Sequence, residues 1–167
     1  MSDVNPYQAP NSDVSIADNS SNQLASRLAR FGASFVDGLV MLVVILPMMY
    51  LMGVFNSIAS GKEPSMGIMF LIAVVGYVVF AAINYAPLKK NGQTVGKKVA
   101  NIRIADLQGN KPDVGTILLK RYLPVQFVGQ VPVIGGLASL IDILFIFRKD
   151  RRCVHDLIAG TQVVRAK

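Results

Sequence analysis

Three stretches of 20 or more residues carry no Asp, Glu, Lys or Arg: residues 38–61, 64–88 and 122–141. A helix rises about 1.5 Å per residue, so about 20 mainly apolar residues cross a hydrocarbon core about 30 Å thick. The first stretch, most apolar over residues 39–55, predicts a span over about 34–55. The second, with Gly67, Ala73, Gly76, Ala81 and Ala82 along it, predicts a span over about 66–87. Neither shows the polar face of a helix that covers a soluble core. Pro124, Gly129, Pro132, Gly135 and Gly136 interrupt the third. Breaking it at 132–136 leaves pieces over about 122–131 and 137–147, each about half the hydrocarbon thickness. They predict a re-entrant hairpin or two crossings extended into the interfaces, with the freed backbone buried in protein or lining a wet cavity.

The remaining segments read differently. Residues 1–26 are rich in Asn, Ser, Asp and Pro and predict a flexible polar tail; its NPYQAP run (5–10) favours either a solvated coil or a short extended docking motif. The tail lacks the basic and apolar regions of a secretory signal, so the first span is expected to remain as an anchor. Residues 99–106 (VANIRIAD) and 161–164 (TQVV) are short β candidates that could pair with each other. Asp113 is placed to cap a helix from about Val114 that carries Lys120 and Arg121 into the interface. The fold class expected is an all-α integral membrane protein with a small cytoplasmic β element, residues 27–167 forming one membrane domain.

Composition sharpens this picture. Of 167 residues 52% are hydrophobic and 16% charged, against about 25% charged in average soluble domains, which argues against disorder. The net charge of +7 fits nucleic acid or anionic lipid, and its distribution favours lipid headgroups and excludes nucleic acid. Between the first two spans the only basic residue is Lys62, whereas Lys89, Lys90, Lys97, Lys98, Arg103, Lys111, Lys120 and Arg121 follow the second. Basic flanks remain cytoplasmic, so the N-terminus, the segment 88–121 and the basic tail 148–167 are all expected on that side. The last of these requires residues 122–147 to return the chain.

Charges at membrane depth cost about 2.5 to 3.5 kcal/mol each on insertion scales and therefore invite a functional reading. Asp37 lies one turn inside the first span and Asp142 lies between Ile141 and Ile143. Arg30 precedes Asp37 by seven residues, which puts the two within about 20° on one helix face and about 10 Å apart. The economical arrangement brings Asp142 to Arg30 or to Asp37, where two carboxylates share a proton or cation. A buried ion-pair cluster that orders helix packing weighs equally, and simple hydration of Asp37 is a third reading. The single cysteine, Cys153, allows no internal disulfide and has no second thiolate for a metal site; no metal, cofactor or enzymatic nucleophile is expected.

Other signals are weaker. GQTVGKK (92–98) has three residues between its glycines and Lys98 where a phosphate loop needs Ser or Thr, so a basic turn facing anionic headgroups is expected. His155 and Asp156 are neighbours that should point apart, predicting a polar cap rather than an acid/base pair. Asn84 and Tyr85 are expected to serve packing or the interface, and Ser34 and Gly38 close helix approach.

Taken in order, RFGASFVD (30–37), GQTVGK (92–97), DLQG (106–109), Arg121, Asp142 and HDLIAGT (155–161) resemble the RDD family of small bacterial membrane proteins, named for one Arg and two Asp. The resemblance spans about residues 25–164. Arg30 and Asp37 match the Arg and the first Asp; the second is assigned to Asp142, while Asp156 also occupies a motif position. Arg121, His155, Asp156, Thr161, Gly92, Thr94, Gly96 and Lys97 stand as structural or accessory candidates. The resemblance implies a multi-span protein of the bacterial inner membrane, with cation/proton antiport reported for some members. The expectation is therefore ion or solute transport, with Asp37, Asp142 and Arg30 handling a monovalent cation or proton in a homo-oligomer. The alternative is a non-transporting membrane scaffold or assembly factor that binds a protein partner.

Overall fold

The structure is a computed structural model that describes residues 23–131 and 133–166. It is mostly helical, with two long apolar helices and a small two-stranded sheet. The Ser26 hydroxyl accepts from the Ala29 N–H, 3.1 Å, and starts α1, Arg27–Leu51. A short α2, Val54–Ala59, follows across Gly53. The second long helix, α3, Met66–Asn91, continues past the expected end and closes on Gly92, whose φ of 66° suits a residue without a side chain. Both long helices meet the length and hydropathy needed to cross a membrane, and none of the most apolar stretch of α1 is buried.

After α3 the chain makes a compact polar cap. Helix α4, Val95–Val99, lies against the start of α1, and β1, Ile102–Asp106, pairs antiparallel with β2, Thr161–Arg165, in the register Ile104 to Val163. The expected pairing of the two β segments is thus present. Residues 23–25, assigned to the tail from sequence, instead extend this sheet: Ala25 N–H donates to Val163 O and Arg165 N–H to Gln23 O, both at 2.9 Å. Apolar side chains alternate inward, so Ala25, Ala33, Ile102 and Val163 form one core and Leu88, Ile104 and Ile117 another. Residues 1–22, including the NPYQAP run, lie outside the described residues.

Asp113 caps the next helix as expected, its carboxylate accepting from the Gly115 N–H, 2.7 Å. The helix then widens into a π-helical segment, Thr116–Tyr122, that runs into α5, Leu123–Val128. A π segment shifts the side-chain register; here Arg121 is 2% exposed, directed into the protein rather than out to the interface as expected, while Lys120 remains exposed. The break in the third apolar stretch is also present: α6, Ile134–Leu144, returns against α5 and ends in a 3₁₀ turn, Phe145–Phe147. The hairpin is close at Gly135, where a Cβ would fall 2.8 Å from the Gly129 carbonyl carbon. A short α7, Val154–Ile158, leads into β2.

Candidate functional site

The charged residues sort into three groups, and the convergence of Arg30, Asp37 and Asp142 expected from sequence does not occur. The first group is centred on Asp156, which is fully buried. It is the third residue of α7 and accepts from the Cys153 backbone N–H at 3.1 Å, closing that helix's first turn. Its carboxylate also pairs with Arg30 and, at 2.5 Å, with Arg121, and the Thr161 hydroxyl stands 3.4 Å away. Arg30 donates further to Arg151 O, and Arg121 to the Thr161 hydroxyl at 2.8 Å. Burial alone would raise the Asp156 pKa; Arg121 and then Arg30 overcome it and hold the carboxyl at about 2. The carboxylate that Arg30 meets is therefore Asp156, not Asp142. The sequence argument missed this because the pairing spans 126 residues and depends on a sheet that brings the chain's later part back to the start of α1.

The second group holds Asp37. Its carboxylate accepts from the Thr94 hydroxyl, 2.5 Å, and from the Gly96 N–H, 2.7 Å, while the Lys97 ammonium lies 4.0 Å away. Thr94 also caps α4, and the Val95 N–H is taken by the buried Asn84 side chain, 2.9 Å. Segment 92–98 is thus a clasp around an α1 carboxylate, with Lys97 turned inward to the Tyr122 hydroxyl, 3.1 Å, rather than toward lipid headgroups. Gly96 makes the approach possible, since a Cβ there would overlap Ala33 O and come within 2.9 Å of the Asp37 carboxyl carbon. Asp37 is not freely hydrated: its side chain is 14% exposed and its hydrogen-bond partners are Thr94 and Gly96. Asn84 does serve packing, but as a helix cap that the sequence did not reveal.

The third group joins α6 to α7. Asp142 accepts from the His155 backbone N–H, 3.0 Å, and lies 2.7 Å from His155 Nδ1. The opposite ring nitrogen faces the Arg121 guanidinium at 3.3 Å, which assigns the proton to Nδ1. Burial, against the opposing pull of Asp142, lowers the His155 pKa from its ordinary value. Cys153 stands beside this pair, its thiol pushed up to about 11 by burial. His155 and Asp156, expected as a polar cap rather than an acid/base pair, serve two different clusters, with Asp156 tied to Arg121 of the middle segment.

Asp142 and His155 also stand in the walls of two cavities. One, of about 960 Å³, runs between α1 and α6. Its walls are apolar, with Phe35 and Leu39 facing Ile143 and Ile146, and Arg30, Lys97 and Arg121 stand at its polar end. Ser34 and Gly38, expected at a close helix contact, line this space instead. The other cavity, of about 90 Å³, lies within the α5–α6 hairpin beside Val125 and Ala138.

The chain is similar in sequence to other proteins. The RDD family model matches residues 24–160. The uncharacterized YckC protein of Bacillus subtilis is 32% identical over 141 residues, which cover 82% of each chain. An uncharacterized protein of Haemophilus influenzae is 28% identical over 144 residues, covering 84% of this chain and 78% of its own. No solved structure matches. With Arg30, Asp37, Arg121 and Asp156 inside the matched region, the chain belongs to the RDD family.

Proposed function

We propose that the protein spans the bacterial inner membrane through α1, α3 and the α5–α6 hairpin, with both termini cytoplasmic, and moves a small cation or other solute through the space beside α6. The observation that carries this reading is the Asp142–His155 pair, a polar contact common to the walls of a large and a small cavity. Ligand sites are concavities of about 300–1,000 Å³ with apolar walls and a few convergent polar groups, and the larger cavity has that character. Membrane embedding is supported by α1, where Val43 and Leu51 are 75% and 82% exposed; a soluble protein rarely leaves so long an apolar face in water. Asp142 is the carboxylate that the moving species meets. Arg30 and Asp37, held by Asp156 and by the 92–98 clasp, position the helices around it. One copy supplies few helices to enclose a path, which favours a homo-oligomer.

The test is ion movement in sealed vesicles containing the purified protein, wild type beside Asp142→Asn. Flux in the wild type and its loss in a folded, correctly inserted variant is the expected result. No flux with protons, sodium, potassium, lithium or zinc in the wild type overturns cation transport and favours a membrane scaffold, a role to which the paired buried charges are equally suited.

A further inference from the structure

The side chains of Asp142, Cys153 and His155 each offer one donor atom, and these oxygen, sulfur and nitrogen atoms lie within 4.8 Å of one another. We infer that they form a binding site for a borderline divalent cation, Zn²⁺ in the first instance, that opens onto the larger cavity. As a binding site it stands apart from the transport reading; as the identity of the carried ion it rests on that reading.

The donor set is the first argument. Zinc takes thiolate, imidazole and carboxylate together, whereas magnesium and calcium take oxygen alone. Tetrahedral zinc would place such donors roughly 3.3–3.6 Å apart, so closing the site takes side-chain rotations of about an ångström. The three residues come from the end of α6 and the first turn of α7, two elements already fixed to each other by the hydrogen bond from the His155 backbone to Asp142. Three protein ligands leave a fourth position, the pattern of sites that exchange a ligand rather than of closed structural sites. All three residues line the larger cavity, so that position has access.

Local charge is the second argument. The guanidinium groups of Arg30 and Arg121 approach from α1 and the π segment; both are bound to Asp156, and Arg121 also stands 3.3 Å from the far nitrogen of the His155 ring. Lys97 is engaged by Asp37 and Tyr122. Asp142 has the His155 ring, rather than a lysine or arginine, as its side-chain partner. A dication would supply the missing counter-charge. Binding releases the Cys153 thiol proton to solvent and replaces the hydrogen bond between His155 and Asp142.

The test uses full-length protein purified with a chelator and then titrated with Co²⁺, which reports thiolate ligation by a charge-transfer absorption. The expected result is one Co²⁺ per chain with that absorption, displaced by Zn²⁺. Cys153→Ser should abolish the absorption and Asp142→Asn should weaken binding at least tenfold, both with wild-type circular dichroism and a monodisperse elution profile. An absent absorption in folded wild type, or equal binding by the wild type and either folded variant, overturns the site. Binding without vesicle flux of zinc keeps the site and rejects zinc as the carried ion; flux of other ions without cobalt binding keeps transport and rejects the site.

Discussion

Asp156 satisfies two buried arginines at once, and its removal has a calculable direction. Breaking a buried pair leaves an uncompensated charge and costs about 3–5 kcal/mol, so Asp156→Ala should lower the thermal midpoint sharply or prevent accumulation of folded protein. By contrast, Asp150, paired with Arg148 on the surface, should be replaceable by Ala at a cost under about 1 kcal/mol. Melting curves of the two purified variants in one detergent compare them directly. The depressed pKa of Asp156 gives a pH dependence of matching sign. Between the ordinary carboxyl value of 3.8 and about 2, the unfolded chain binds a proton that the folded chain refuses. The stability contributed by this carboxylate is therefore complete above about pH 4 and is lost as pH falls toward 2. In the presence of chelator, Asp156→Asn should remove that part of the acid sensitivity.

At the scale of elements, the decisive contact is α4 against α1. Gly96→Ala would force Ala33 O and the Asp37 carboxylate away and is expected to cost about 1–3 kcal/mol. Asp37→Ala strands the Thr94 hydroxyl and the Gly96 N–H, at about 1–3 kcal/mol for each buried donor. Hydrogen exchange over residues 94–99 should quicken in both variants more than exchange in β1. Most elements were legible in the sequence because they follow from local periodicity. Uncharged runs gave both long helices, β-branched alternation gave β1 and β2, and the Pro and Gly cluster gave the break before α6. The partners of the charged residues were not legible. Asp142 and Asp156 are two intervals from the same arginine in the sequence, and only the turn from α6 into α7 decides which one reaches it. The inward course of Arg121 depended on a π segment, which no hydrophobic period announces, and the tie of residues 23–25 to β2 was hidden in a stretch whose composition resembles coil.

For the molecule as a whole, the hydrogen bonds from residues 23–25 to β2 and the pairing of β2 with β1 place the start of α1, the exit of α3 and the strand after α7 in one polar cap. With α1 and α3 as crossings, a reporter fused after residue 167 should read the same side as one fused before residue 1. A cysteine introduced at Ser60, between those helices, should react with an impermeant reagent from the opposite side. Labelling of both sites from one side would reject the two-crossing arrangement. The cap also imposes an order on biosynthesis. Ribosomes release Arg30 first and Arg121 much later, and both must wait for Asp156 to emerge before either has its carboxylate. A nascent chain halted before that point carries two arginines whose shared carboxylate has not yet been made.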